Sequence, residues 1–162
     1  MLVTVKGKLT DNWAPEIIRR MGKIAIAFAQ LEWAVFVIAK RVDGTMKMAE
    51  FAMEHRGKKH RGFQQWCDFV IKKSPDNPNL VTQIKEAQEL AEERNNLFHG
   101  IWFKEGASDQ LRLFRIPRTG QPHPIPLDPT YFAALVKRIR SVRDSLLVQR
   151  GPADFEWKGD SV

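Results

Sequence analysis

The chain has 162 residues, 43% of them hydrophobic and 28% charged, with a net charge of +7 and a pI near 9.8. Such a length and composition suit one globular domain over 1–162, its core spanning about 12–150. A single cysteine, Cys67, excludes an intramolecular disulfide framework, and with four scattered histidines it makes no zinc site, so neither metal nor cofactor is expected. The positive balance favours a polyanionic partner, chiefly nucleic acid, although many small basic proteins bind none. The N-terminus carries no signal-peptide pattern, and no apolar run approaches the ~18 residues of a membrane span. A cytoplasmic location and no membrane partner are therefore expected.

Residues 1–11 read as an extended or disordered lead. Asp11 and Asn12 are good N-cap residues and Pro15 suits a first turn. Ile17, Met21, Ile24, Phe28, Leu31, Val35, Ile38 and Val42 then alternate steps of four and three, which predicts a helix over 15–43 with one continuous apolar seam. Residues 45–73 predict two shorter helices. Met48, Phe51 and Ala52 pattern the first, and Phe63, Trp66, Cys67 and Val70 the second. Between them lies a dense basic turn with Arg56, Lys58, Lys59 and Arg61. Ser74-Pro75-Asp76-Asn77-Pro78 is a break. A helix over 79–99 follows, with Leu80, Ile84, Ala87, Ala91 and Arg94 in one seam. After Gly100 the period changes, and 101–104 and 110–116 predict a β-hairpin with a loose loop. Pro117 to Pro126 reads as a proline-rich connection. Asp128-Pro129 opens a last helix with Phe132, Leu135, Ile139, Val142 and Leu146 inside and Lys137, Arg138, Arg140 and Arg143 outside. The expectation is a mainly α protein, a bundle of four to five helices with a short hairpin insertion.

Arg94 is the odd residue of its seam. Its helical neighbours are Ala87, Leu90, Ala91, Leu97, Phe98 and Ile101, all apolar. A guanidinium there is costly unless the charge is paired or used. Glu32 breaks the first helix in the same way, among Ala25, Phe28, Ala29, Val35, Phe36 and Ala39. Each suggests the other as partner, because an arginine–carboxylate pair can satisfy both groups inside a bundle. Five residues after Arg94, His99 offers a proton carrier that works near neutral pH. Asn95 shares its face and Asn96 is almost as close, so either amide could set the imidazole tautomer. The blander account has a fraying helix end, with His99 capping carbonyls before Gly100.

Glu93-Arg94-Asn95-Asn96-Leu97-Phe98-His99-Gly100, with Trp102 after it, resembles the signature of the HEPN superfamily. These are small helical domains of prokaryotic toxins, antiphage defence proteins and RNA-processing factors. Their motif is an arginine, a polar residue and then a histidine four to six positions after the arginine. Phe28-Ala29-Gln30-Leu31-Glu32-Trp33 is similar to the first-helix pattern of several such families. The resemblance covers roughly 15–100 together with the last helix. Members paired with a nucleotidyltransferase antitoxin carry a tyrosine two residues after the histidine; Ile101 stands there in this chain.

The resemblance implies a homodimer with its active site across the two-fold axis, cleaving RNA without a metal. His99 would be general base or acid, Arg94 the phosphate clamp, and Asn95 would orient His99 or the scissile phosphate. Glu32 would hold Arg94, with Asn96 and Trp102 in support. Arg56, Lys58, Lys59, Arg61 and the last helix would attract the RNA backbone, unless they are only solvated surface. A cognate antitoxin or a defence partner protein is a further expected partner. The alternative is a non-catalytic HEPN-like dimerisation or RNA- or nucleotide-binding module. A basic DNA-binding protein ranks last, because no helix-turn-helix signal is present.

Overall fold

The computed structural model describes residues 15–42, 62–104, 111–115, 123–126 and 128–148, the strands by their backbone. In chain order these are α1 (Pro15–Val42), α2 (Phe63–Lys73), α3 (Pro78–His99), β1 (Ile101–Lys104), β2 (Leu111–Arg115), β3 (His123–Pro126) and α4 (Pro129–Val148). The helix expected around Met48, Phe51 and Ala52, the N-caps expected at Asp11 and Asn12, and the basic turn lie outside the described residues. The protein is mainly helical, as its apolar periodicity predicts.

Local chemistry sets the helix ends. Asn77 Oδ1 accepts the Leu80 N–H at 3.1 Å, which caps α3 over Pro78 in its first turn. The break before it is a turn in which the Asn77 N–H donates to Ser74 O at 3.1 Å. Asp128 caps α4 by accepting the N–H groups of Thr130 and Tyr131 and the Thr130 hydroxyl. These donors hold its carboxyl below the usual range, the Thr130 hydroxyl foremost. At the start of α1, Arg19 and Arg20 both donate to the Glu16 carboxylate and depress its pKa to about 2.

Two compact units divide the chain, Met1–Ala29 with Gln88–Arg140 and Gln30–Ala87 with Ser141–Val162. In the first, Phe28 of α1 meets Arg94 of α3, Arg20 of α1 lies over the Phe132 ring of α4, and Glu93 of α3 binds Arg138 of α4. Ile24, Ala27, Phe28, Leu90, Leu97, Phe132, Leu135 and Ile139 are its buried apolar residues on those helices, with Ala91. In the second, the four patterned residues of α2 are buried, and Trp66 stands edge-on to Phe36 of α1 with ring centroids 5.3 Å apart. Here α1 is buried continuously from Ala34 to Ala39, beyond its one predicted seam. In the first unit Ile18 and Ile26 of the same helix are exposed.

By length and composition α1 is apolar enough to cross a membrane, as the core helix of a soluble protein also can be. Its most apolar 18-residue stretch has a mean hydropathy of 1.6, and half of that stretch is buried inside the fold.

The sheet also differs from expectation. β1 pairs antiparallel with β2, and β2 pairs with β3, in the order β1-β2-β3. The third strand comes from the segment read as a proline-rich connection, with Leu113 opposite Ile125 and Phe114 opposite Pro124. At an edge strand every second N–H faces away from the ladder. Prolines two residues apart, Pro124 and Pro126, can therefore lose theirs without breaking a pair.

Candidate functional site

The motif ends α3. The Gly100 N–H donates to Asn96 O at 2.9 Å, the last helical bond, and the chain then turns into β1. Leu90, Ala91 and Leu97 are buried and anchor the final two turns. Asn95 and His99 are exposed, while Arg94 and Asn96 are half-buried.

Arg94 is held by aromatic rings inside its own unit. Its Cζ lies 5.1 Å from the centre of the Phe28 ring and 5.2 Å from that of Phe98. Both are within cation–π range, and a guanidinium, weakly hydrated on its faces, stacks well on aromatic carbon. Its Nε is buried with no hydrogen-bond partner. Its Nη1 donates to Asn95 Oδ1 at 2.8 Å, at the exposed end of the side chain. Within its own unit Arg94 is thus gripped by two rings and the neighbouring amide. Glu32 is half-buried and belongs to the other unit. The arrangement leaves the cation immobilised along its stem, with its outer edge at the surface.

Asn95 Oδ1 accepts from Arg94, so this amide orients the guanidinium through its oxygen. The imidazole of His99 stands exposed one turn beyond. Phe98, between them in sequence, is 40% exposed. Trp102 lies in β1 opposite Leu113, and nothing further is described of its side chain. Arg56, Lys58, Lys59 and Arg61 lie outside the described residues.

No family model, curated protein or solved structure matches this chain.

Sequence reasoning missed a second cluster beside the motif. Glu93 Oε2 accepts from Arg138 Nη1 at 2.9 Å, and the Tyr131 hydroxyl lies beside the same carboxylate. Burial raises the Tyr131 pKa, and the Glu93 charge raises it further. In sequence Arg138 belongs to the basic outer face of the last helix, and no local pattern reveals its partner 45 residues away. Arg143 is likewise engaged, with Asp144 at 2.6 Å and with Gln30. Lys137 and Arg140 remain exposed cations of α4. Cys67 is buried, and burial pushes its thiol up to about 12, so it is unreactive at neutral pH. Among the described residues no group of three or more His, Cys, Asp or Glu side chains stands close enough to hold a metal ion.

Proposed function

We propose that this chain is a metal-independent endoribonuclease of the HEPN type, acting in the cytoplasm as a homodimer whose two copies share one cleft. The observation that carries the reading is Arg94, whose stem is clamped by Phe28 and Phe98 and whose edge is turned outward by Asn95, one turn before an exposed His99. An immobilised guanidinium beside an imidazole supplies charge stabilisation and proton transfer for RNA cleavage.

The 2′-oxygen attacks phosphorus, and its proton passes to one His99. The bond from phosphorus to the 5′-oxygen breaks, and a second imidazole protonates the leaving oxygen. Arg94 stabilises the negative charge on the phosphorane. The products are a 2′,3′-cyclic phosphate and a 5′-hydroxyl. One His99 cannot easily be base and acid in the same step, so the partner's His99 fills the second role. A toxin or antiphage component fits this activity, with a cognate antitoxin or defence protein as its restraint.

The bond from Arg94 to Asn95 favours a second reading. With that amide committed to the arginine, the site would suit phosphate binding without catalysis, in a dimerisation or RNA- or nucleotide-binding module. Incubation of the native protein and His99→Ala with total RNA separates the two. Cleavage to cyclic-phosphate ends by the native protein, abolished in His99→Ala with the helical circular-dichroism signal retained, supports the nuclease. Binding without cleavage supports the module.

A further inference from the structure

Phe98 is the least explained residue of the motif. It is one of the few large apolar side chains that the described residues leave open, with 40% of its surface exposed to solvent, and Arg94 and Asn95 stand four and three residues before it on the same helix face. An exposed aromatic ring near a guanidinium edge and an imidazole is unusual as mere packing. The Arg94 cation rests 5.2 Å from its centre, which fixes the ring relative to the group proposed to hold phosphate. Phe28, the other ring on that cation, is only 2% exposed and has no open face to offer a ligand.

We propose that Phe98 is a stacking platform for an unpaired nucleobase next to the phosphate held by Arg94, which makes single-stranded RNA the substrate class. This rests on the RNA reading of the site. Bases stack on exposed aromatic rings irrespective of sequence, and purines, with the larger π-surface, gain more than pyrimidines. A duplex keeps its bases stacked on each other and offers no free face, so the platform discriminates by strandedness. The cation beside the ring strengthens the arrangement, since arginine and an aromatic side chain together bracket a base and its phosphate.

The test measures binding in the His99→Ala protein, which needs no cleavage, using fluorescein-labelled oligoadenylate, oligouridylate, an abasic oligonucleotide and an RNA duplex. Three outcomes are expected. Oligoadenylate binds tighter than oligouridylate, and both bind tighter than the abasic strand and the duplex. Phe98→Leu removes the base-dependent part, roughly 5- to 150-fold for a stack of ~1–3 kcal/mol. Phe98→Tyr or Phe98→Trp restores it. The slope of affinity against salt stays unchanged throughout, because Arg94 keeps its charge and its contact with Phe28 and the number of neutralised phosphates is the same. Equal affinity for all four probes, or unaltered base dependence in Phe98→Leu, overturns the platform. A fall in oligomer mass caused by Phe98→Leu also overturns it, since the ring would then belong to a subunit contact. These failures are distinct from failure of the ribonuclease reading, which is decided by whether the native protein cuts RNA.

Discussion

Arg94 is where chemistry and stability separate. Its Nε is buried with no hydrogen-bond partner, which costs roughly 1–3 kcal/mol, while two cation–π contacts return about 0.5–1 kcal/mol each. These nearly cancel, so the arginine adds little to the fold. Arg94→Met keeps the apolar stem and removes the charge. Urea unfolding is expected to place its stability within about 1 kcal/mol of native or above it, while RNA cleavage disappears. A loss of ~3 kcal/mol or more would mean that the cation is a structural anchor. Exposed charge pairs behave differently. Glu16, depressed to about 2 from 4.5 by Arg19 and Arg20, stabilises the native state only while ionised. Its contribution is complete above 4.5 and vanishes as pH falls through about 2. Melting curves of native protein and Glu16→Gln should differ at neutral pH and converge at the acid end. A difference that grows on acidification would reverse the sign.

At the scale of elements, α1 does two jobs along one sequence. Between Ala34 and Ala39 it is enclosed on all sides, with Phe36 against Trp66, whereas Ile18, Gly22 and Ile26 face outward. Gly22 has nothing within 4 Å of where a Cβ would sit. A glycine inside an exposed helix costs about 0.5–1 kcal/mol relative to alanine. Gly22→Ala should therefore raise stability by that amount, read from the midpoint and slope of denaturant unfolding. A destabilised variant would show that something approaches the helix closely there. The helix termini were legible for a local reason: Asn77-Pro78 and Asp128-Pro129 cap and start α3 and α4 by contacts within three residues. β3 was not, because prolines spell a connection until an edge position makes their missing donors harmless.

For the whole molecule, the proposed mechanism requires two imidazoles, and each chain carries one at the motif. Light scattering should give twice the chain mass, and cleavage should persist in EDTA because the acid, base and cation are all side chains. Raising salt should suppress binding steeply, with a slope of about −0.7 per phosphate contact on single-stranded RNA. Lys137→Glu or Arg140→Glu, at exposed positions of α4, should flatten that slope by about one contact each if the basic face meets RNA. A monomer that still cuts would defeat the shared cleft, and an unchanged slope would leave α4 a solvated surface.

The sequence by itself determined the four described helices, most of their inward faces and the position of the motif at the end of α3. Each depends on periodicity or on spacing within one helix, and such information is local. Leu80, Ile84, Ala87 and Ala91 of α3 are buried where their spacing puts them, as are Phe132, Leu135, Ile139, Val142 and Leu146 of α4. The oddness of Arg94 was also local, since its neighbours could be counted. What satisfies Arg94 was not. A carboxylate and an aromatic face are both lawful partners for a guanidinium, and only packing chose Phe28 and Phe98 with Asn95. Packing likewise joined Glu93 to Arg138 and Tyr131, and left Phe98 partly open beside His99. The contacts of Arg94 with Phe28 and of Glu93 with Arg138 and Tyr131 join residues far apart in sequence, where spacing carries no signal, so only tertiary structure could decide them.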